Sequence, residues 1–269
     1  MACSKFEYVK AFEQTQTLLK NTFIVVRVDG RSFHSFTKIH SYLKPNDQRG
    51  IDLMNHAAKS VMEEFMDISL AYGQSDEYSF LFKRDTTLFN RRSDKIISNL
   101  VSLFTASFVQ NWNVYFPDSP LQSLPCFDAR CVLYPTNQNV QDYFSWRQAD
   151  CHINNLYNTA FWTLVQHEKN PITEREAEAI LKKLDSGGKN ELLFQNGLNY
   201  NNIDAVYRKG ILNLLIFPGS TLVRETKAVN EISKNTGEGI VRKRKMVLIK
   251  HCDIIGNDFW QDSGILSSN

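Results

Sequence analysis

At 269 residues the chain can form one large domain or two modest ones around a sizeable core, and its 42% apolar and 12% aromatic content excludes a disordered chain. With 31 basic and 29 acidic residues the net charge is only +2, which excludes a global positive field as the basis for binding nucleic acid and leaves local patches alone to do it. The five cysteines form no CxxC pair and no Cys/His array at zinc spacing, and neither a secretory leader nor a membrane-length apolar run occurs, so a soluble intracellular protein in a reducing compartment is expected.

The first element is FIVVRVDG, residues 23–30. Phe23, Ile24, Val25, Val26 and Val28 suit an interior strand, whereas Asp29 does not, so the strand carries an acid and a glycine to its own end. Asp-Gly is a common turn dipeptide, and the competing reading is a metal ligand on a rigid platform. KPNDQRGIDLMNHAAKSVMEEF then predicts a helix capped by Asp47, with Ile51, Met54, Ala58, Val61 and Phe65 on one stripe. DISLAYGQSDEYSFLF has two apolar runs around Gly-Gln-Ser-Asp-Glu, the pattern of a β-hairpin. A second helix is expected over about 86–112, with Ile97, Val101, Phe104, Phe108 and Trp112 inward, and FDARCVLY follows as a strand closed by Pro135.

The order strand, helix, hairpin, helix, strand predicts an α+β, ferredoxin-like (split βαβ) core over residues 1–136, with helices on one face and the first strand central. Residues 137–269 read as a helical and β elaboration packed on that core rather than a separately folding unit. It begins with one long helix over NVQDYFSWRQADCHINNLYNTAFWTLVQ. A helix opened by a Thr173/Glu176 capping box is expected to end at Gly187-Gly188. YNNIDAVYRKGILNLLIF, TLVRETKAV and IVRKRKMVLIK read as strands, the last two pairing as a basic ribbon.

On that plan Asp29 ends the first strand, while Asp76 and Glu77 sit at the turn of the hairpin expected beside it. Two acids brought together repel unless a proton or cation intervenes, and magnesium suits such a site because it takes a few carboxylates plus waters and substrate phosphates. Gly30 lets backbone approach a metal or phosphate closely, and amides from Gly30 to His34 could cradle a triphosphate. Either fragment alone also reads as ordinary turn chemistry; only their joint placement points to catalysis.

Cations for phosphate are concentrated in residues 83–95, where Lys83, Arg84, Arg91, Arg92 and Lys95 face two acids, and Arg92 and Lys95 are candidate RNA contacts. A solvated helix face is the plainer reading of such a run. CHINNLYNTAFW places three asparagines on a helix with His152 and Asn155 three apart, hence neighbours, and these either bind an RNA end or cap structure locally.

RVDGRSFHSFTK, KPND, AYGQSDEYSFLFK, SWRQADCHINNLYNTAFW, KNELLF, YNN, YRKG and HCDIIGNDFW, in this order, resemble the eukaryotic tRNA-histidine guanylyltransferase family from near the N-terminus to about residue 260. The resemblance implies a polymerase-type palm that adds one guanylate to the 5′ end of tRNA-His in the 3′-to-5′ direction. ATP first adenylylates the tRNA 5′-monophosphate, and the 3′-hydroxyl of GTP then attacks. It also implies that Asp29 and Asp76 hold a pair of Mg2+ ions with the Gly30 carbonyl, and that Glu77 supports them. Gly30, Arg31, Ser32, Phe33, His34, Lys44, Asp47 and Ser75 would line the nucleotide site, and His152 and Asn155 would act at the tRNA end or nucleotide. A homotetramer across which the tRNA lies is implied as well. The alternatives are a palm-type nucleotide cyclase using the same carboxylates and a non-catalytic tRNA-binding protein.

Overall fold

The first strand sets the layout, because both of its faces are apolar. In the computed structural model, which describes residues 4–198, 219–232 and 239–266, β1 (Phe23–Gly30) lies between β3 (Glu77–Phe82) and β4 (Phe127–Tyr134), antiparallel to both. β2 (Ile68–Gln74) makes the expected hairpin with β3. β5 (Ser220–Ile232) and β6 (Gly239–Lys250) extend this into one six-stranded sheet ordered β4-β1-β3-β2-β5-β6. β5 meets β2 only over Ser220–Val223, and beyond that it pairs with β6 alone, so the two form the ribbon read from the sequence.

On one face, Ile24, Val26 and Val28 pack against α2 (Gln48–Glu64) and α3 (Ser93–Tyr115) through fully buried Leu53, Val61, Leu100, Phe104 and Phe108. α1 (Phe33–Ile39) closes this layer with Phe33 and Phe36. The helices of residues 1–136 thus share one face, as expected, but the other face is not left open. Phe23 and Val25 point the other way and are covered by Val140, Tyr143 and Phe144 of α4 (Asn137–Val165), helped by Trp260 of α7 (Asn257–Ser263). Two covered faces are what make β1 apolar on both sides of its pleat; each large side chain so buried contributes roughly 1.5–3 kcal/mol.

Asp47 caps α2 as expected, accepting from the Arg49 amide at 3.0 Å, and the Thr173/Glu176 capping box is present at the start of α5 (Glu174–Leu181). Gly187 and Gly188 do not end that helix. They lie in the first turn of α6 (Ser186–Gln195), where the Asp185 carboxylate accepts from Gly188 N at 2.7 Å. α3 starts at Ser93 rather than near 86, because Phe89, Asn90 and Arg91 take left-handed backbone angles that no helix continues through. Its buried stripe holds Ile96 and Leu100, with Ile97 and Val101 half-buried beside it. Arg91 leaves the basic patch altogether: it is buried and donates to the carbonyls of Leu18, Leu19, Thr22 and Thr86. YNNIDAVYRKGILNLLIF, with its YNN and YRKG motifs, lies outside the described residues.

Candidate active site

The hairpin turn wraps the end of β1. Asp29 sits directly opposite Glu77, and the Gly30 amide donates to the Asp76 carbonyl at 3.1 Å. The turn is tight because Ser75 takes a left-handed φ of 50°. A Cβ built on Gly30 would lie 2.9 Å from both Cβ and Oδ2 of Asp76 and 2.7 Å from Phe33 Cδ2. The Asp76 carboxylate therefore rests in space that only glycine leaves open. Asp29 and Asp76 line one cleft of about 560 Å3, so the two acids do meet at a common sheet end.

Charge there is arranged in layers. Arg27 Nη2 donates to Asp29 Oδ2 at 2.5 Å, and Arg27 Nε forms an ion pair with Glu77 Oε2 at 3.0 Å. Arg147, 4% exposed, directs Nη1 to both Glu77 oxygens at 3.1 Å. Glu77 is thus held between two guanidiniums. Asp76 is not so well compensated: burial first, with the charge of Asp29 adding to it, pushes its carboxyl up to about 6. Among the described residues no group of three or more His, Cys, Asp or Glu side chains could hold a metal. Two carboxylates beside accessible main chain still suit magnesium, which fills its remaining positions with water and phosphate oxygens.

The raised carboxyl has a measurable consequence. Because the folded state keeps the Asp76 proton up to about pH 6 and an unfolded aspartate releases it near its ordinary range, metal-free protein binds the extra proton only between these values. Its stability therefore falls as pH rises through that window and stays lower above it. Asp76→Asn lacks this slope, and at pH 7.5 without metal it is expected to be more stable by about 1–2 kcal/mol, a thermal shift of a few degrees. Added magnesium should raise the melting temperature of the wild type and not of the variant, as read by calorimetry.

The cleft gathers most of the residues singled out in the sequence. Phe33, His34, Lys44, Asp47, Ser75, Glu77 and Asn155 line it together with Asp29 and Asp76, while Gly30 lies behind the acids. Lys44 stands 5.6 Å from the Trp162 ring centroid, and burial lowers its ammonium pKa. The Asp47 oxygens are committed to the Leu43 and Arg49 amides and the Arg49 guanidinium. Asn155 accepts from Asn46 at 3.4 Å, tying α4 to the KPND loop. Other residues are not brought in. Arg31, Ser32 and His152 are exposed and not part of the cleft lining. The phosphate cradle expected over Gly30–His34 loses two amides, since Gly30 N donates to Asp76 and Arg31 N to Cys126. Arg92 and Lys95 stand at the start of α3, beside the segment preceding β1 and so toward the opposite end of that strand from Asp29.

The tRNAHis guanylyltransferase family profile matches residues 6–135, and the Thg1 C terminal domain profile matches residues 138–256. A Dictyostelium discoideum protein described as a probable tRNA(His) guanylyltransferase is 53% identical over 97% of both chains. The chain belongs to the tRNA(His) guanylyltransferase family. The crystal structure of the Saccharomyces cerevisiae tRNA(His) guanylyltransferase superposes with a TM-score of 0.72 at 41% identity, over 88% of this chain and 96% of that one. A bacterial guanylyltransferase-like protein solved with ATP shares the fold, with a TM-score of 0.71 at 24% identity over 98% of this chain and 99% of its own. The same description with GTP gives 0.65 at 23%, covering 97% and 95%.

Membership makes this guanylyltransferase-family chain a nucleotidyltransferase enzyme. Among the described residues no helix is long and apolar enough to cross a membrane. Three residues of the site went unnoticed in the sequence: Arg27, Arg147 and Asp150. Arg27 had a signal, being the one charge inside an apolar strand, two residues before Asp29 and hence on its face. Asp150 lines the cleft in step with Asn154 and Asn158, Arg147 pairs with it from the preceding turn of α4, and only the covered second face of the sheet brings that helix side to the cleft.

Proposed function

We propose that this enzyme adds a single guanylate to the 5′ end of tRNA-His. The tRNA 5′-monophosphate attacks the α-phosphorus of ATP, releasing pyrophosphate and leaving a 5′-adenylylated end. The 3′-hydroxyl of GTP then attacks the tRNA phosphorus, a phosphodiester forms and AMP leaves. Removal of pyrophosphate from the added nucleotide completes the product. The observation that carries the reading is the meeting of Asp29 and Asp76 in one cleft, with Gly30 leaving room for the Asp76 carboxylate, in a chain of this family.

Asp29, Asp76 and the Gly30 carbonyl would hold two magnesium ions, which when bound supply Lewis acidity to the attacking oxygen and countercharge to the phosphates. The chain's own part is positioning. The β1 end and the hairpin turn fix the acids, Glu77 with its two arginines holds the turn, and Phe33, His34, Lys44 and Ser75 shape the space for a nucleoside triphosphate. The bacterial likeness with bound ATP and GTP supports nucleotides as the occupants. The strand order β4-β1-β3-β2 supports reading residues 1–136 as a ferredoxin-like palm and 137–269 as its elaboration.

A homotetramer belongs to the same proposal. Arg92 and Lys95, remote from the acids of their own chain, would then contact RNA seated in a neighbouring subunit's cleft, and His152 with Asn155 would meet the RNA along α4. The deciding assay gives the enzyme α-labelled GTP, magnesium and a 5′-monophosphorylated tRNA-His transcript. Label should enter the tRNA only when ATP is present. Release of a cyclic nucleotide from GTP or ATP without tRNA, and no labelled tRNA, would overturn the reading in favour of a cyclase.

A further inference from the structure

Arg147 makes an unusual set of contacts for a buried arginine. Its Nη1 lies 3.1 Å from both oxygens of Glu77 and 3.7 Å from Asp150 Oδ2, and its guanidinium carbon stands 3.4 Å from the centroid of the exposed Trp146 ring. Its Nε is buried without a hydrogen-bond partner. Taking a guanidinium out of water with one donor unused is costly, so packing alone is a poor reason for it. What it touches is the acid adjacent in sequence to Asp76 and directly opposite Asp29 across the β1 and β3 pair.

Asp29 and Glu77 are directly opposed on neighbouring strands, so a Glu77 carboxylate freed of its arginines can swing toward a cation held beside Asp29. Arg27 alone cannot prevent this, because it already serves both Asp29 and Glu77. We propose that Arg147 is a positioning residue of the acidic site, drawing the Glu77 carboxylate toward α4 so that Asp29 and Asp76 alone face the catalytic cation. Glu77 then acts as a brace between two guanidiniums. With Arg147 removed, Glu77 turns toward the ion as a third carboxylate, and the ion is held tightly in an arrangement that no longer presents open positions to two phosphates.

This inference rests on the proposed metal-binding role of the acids, but its readout is metal affinity and so is separable from guanylate transfer. Manganese binding to the substrate-free protein is measured from the free-ion electron paramagnetic resonance signal. Loss of binding in Asp29→Ala and Asp76→Ala establishes the site itself. Arg147→Met removes a positive charge and releases Glu77, and is expected to tighten manganese binding about 10-fold. The turnover number should fall about 10- to 100-fold. Arg147→Gln, which keeps a donor to Glu77 and guards against misfolding, should move both values the same way by less. Adding Glu77→Gln to Arg147→Met should return manganese affinity to near the wild-type value, because the competing carboxylate is gone. A purely structural arginine predicts the reverse, namely a lower melting temperature with manganese binding unchanged or weaker. Either of those results in Arg147→Met and Arg147→Gln overturns the proposal, even where wild-type guanylate transfer is intact.

Discussion

Asp29→Ala and Asp76→Ala are each expected to lower guanylate transfer about 1,000-fold or more while leaving the fold intact. The two acids lie on different elements, one at the end of β1 and one in the hairpin turn, so neither can substitute for the other. Removing Asp76 relieves a carboxyl that burial and Asp29 already disfavour in its charged form, so this variant should melt no lower than the wild type. Removing Asp29 leaves Arg27 paired with Glu77, so no charge is stranded. Calorimetry and far-ultraviolet circular dichroism beside the transfer assay separate lost chemistry from lost structure. Activity within ten-fold of wild type in either variant would show that the pair does not hold the metal.

Gly30→Ala is expected to be the other severe change, for a steric reason. The backbone at Gly30 is not in the left-handed region, so conformational strain is not the cause. The new methyl would instead meet Phe33 at 2.7 Å and Asp76 at 2.9 Å. Phe33 cannot yield, since it is buried and stacked on Phe36 with a 4.9 Å centroid separation and wedged against Phe108 and Phe127. The Gly30 backbone must therefore shift, and Asp76, packed against it, moves as well. Displacing one catalytic group by about 1 Å costs on the order of 100-fold in rate, and overpacking here costs about 1–3 kcal/mol of stability. Transfer kinetics with a denaturant melt check both numbers. A wild-type rate would mean that the Asp76 position is not critical.

How far the sequence discloses this molecule differs from element to element. β1, the hairpin and the caps of α2 and α5 are legible because they rest on local physics: a run of apolar residues, a polar turn between two such runs, and side chains that accept from amides one turn ahead. The convergence of Asp29 and Asp76 follows once the strand order is assumed. The covering of the second face is less legible, because α4 buries Val140, Tyr143 and Phe144 alongside Arg147, Gln148 and Asn155, polar residues that also face inward, which blurs its apolar stripe. The start of α3 is hidden by Phe89, Asn90 and Arg91, whose left-handed backbone no propensity announces and which Arg91 fixes through distant carbonyls. Basic runs mislead for a related reason: counting charge does not reveal that Arg91 is interior or that Arg92 and Lys95 stand far from the acids.

The layering of charge at the sheet end is the feature least visible beforehand. In sequence, Asp76 and Glu77 are adjacent acids of equal standing. In the fold, one lies against Gly30 with a carboxyl pushed up to about 6, and the other is gripped by Arg27 and Arg147. Asp76 belongs to the turn and Glu77 to the first position of β3, paired across the sheet with Asp29, and that difference in backbone setting gives two like residues different chemistry.

The most direct measurement is a crystal structure of the protein with magnesium and GTP. Oxygens of both Asp29 and Asp76 are expected at about 2.0–2.1 Å from bound ions that also touch the triphosphate, with Glu77 still between its arginines. Ions held elsewhere in the molecule, or by one of these two acids alone, would contradict a joint site at the end of β1.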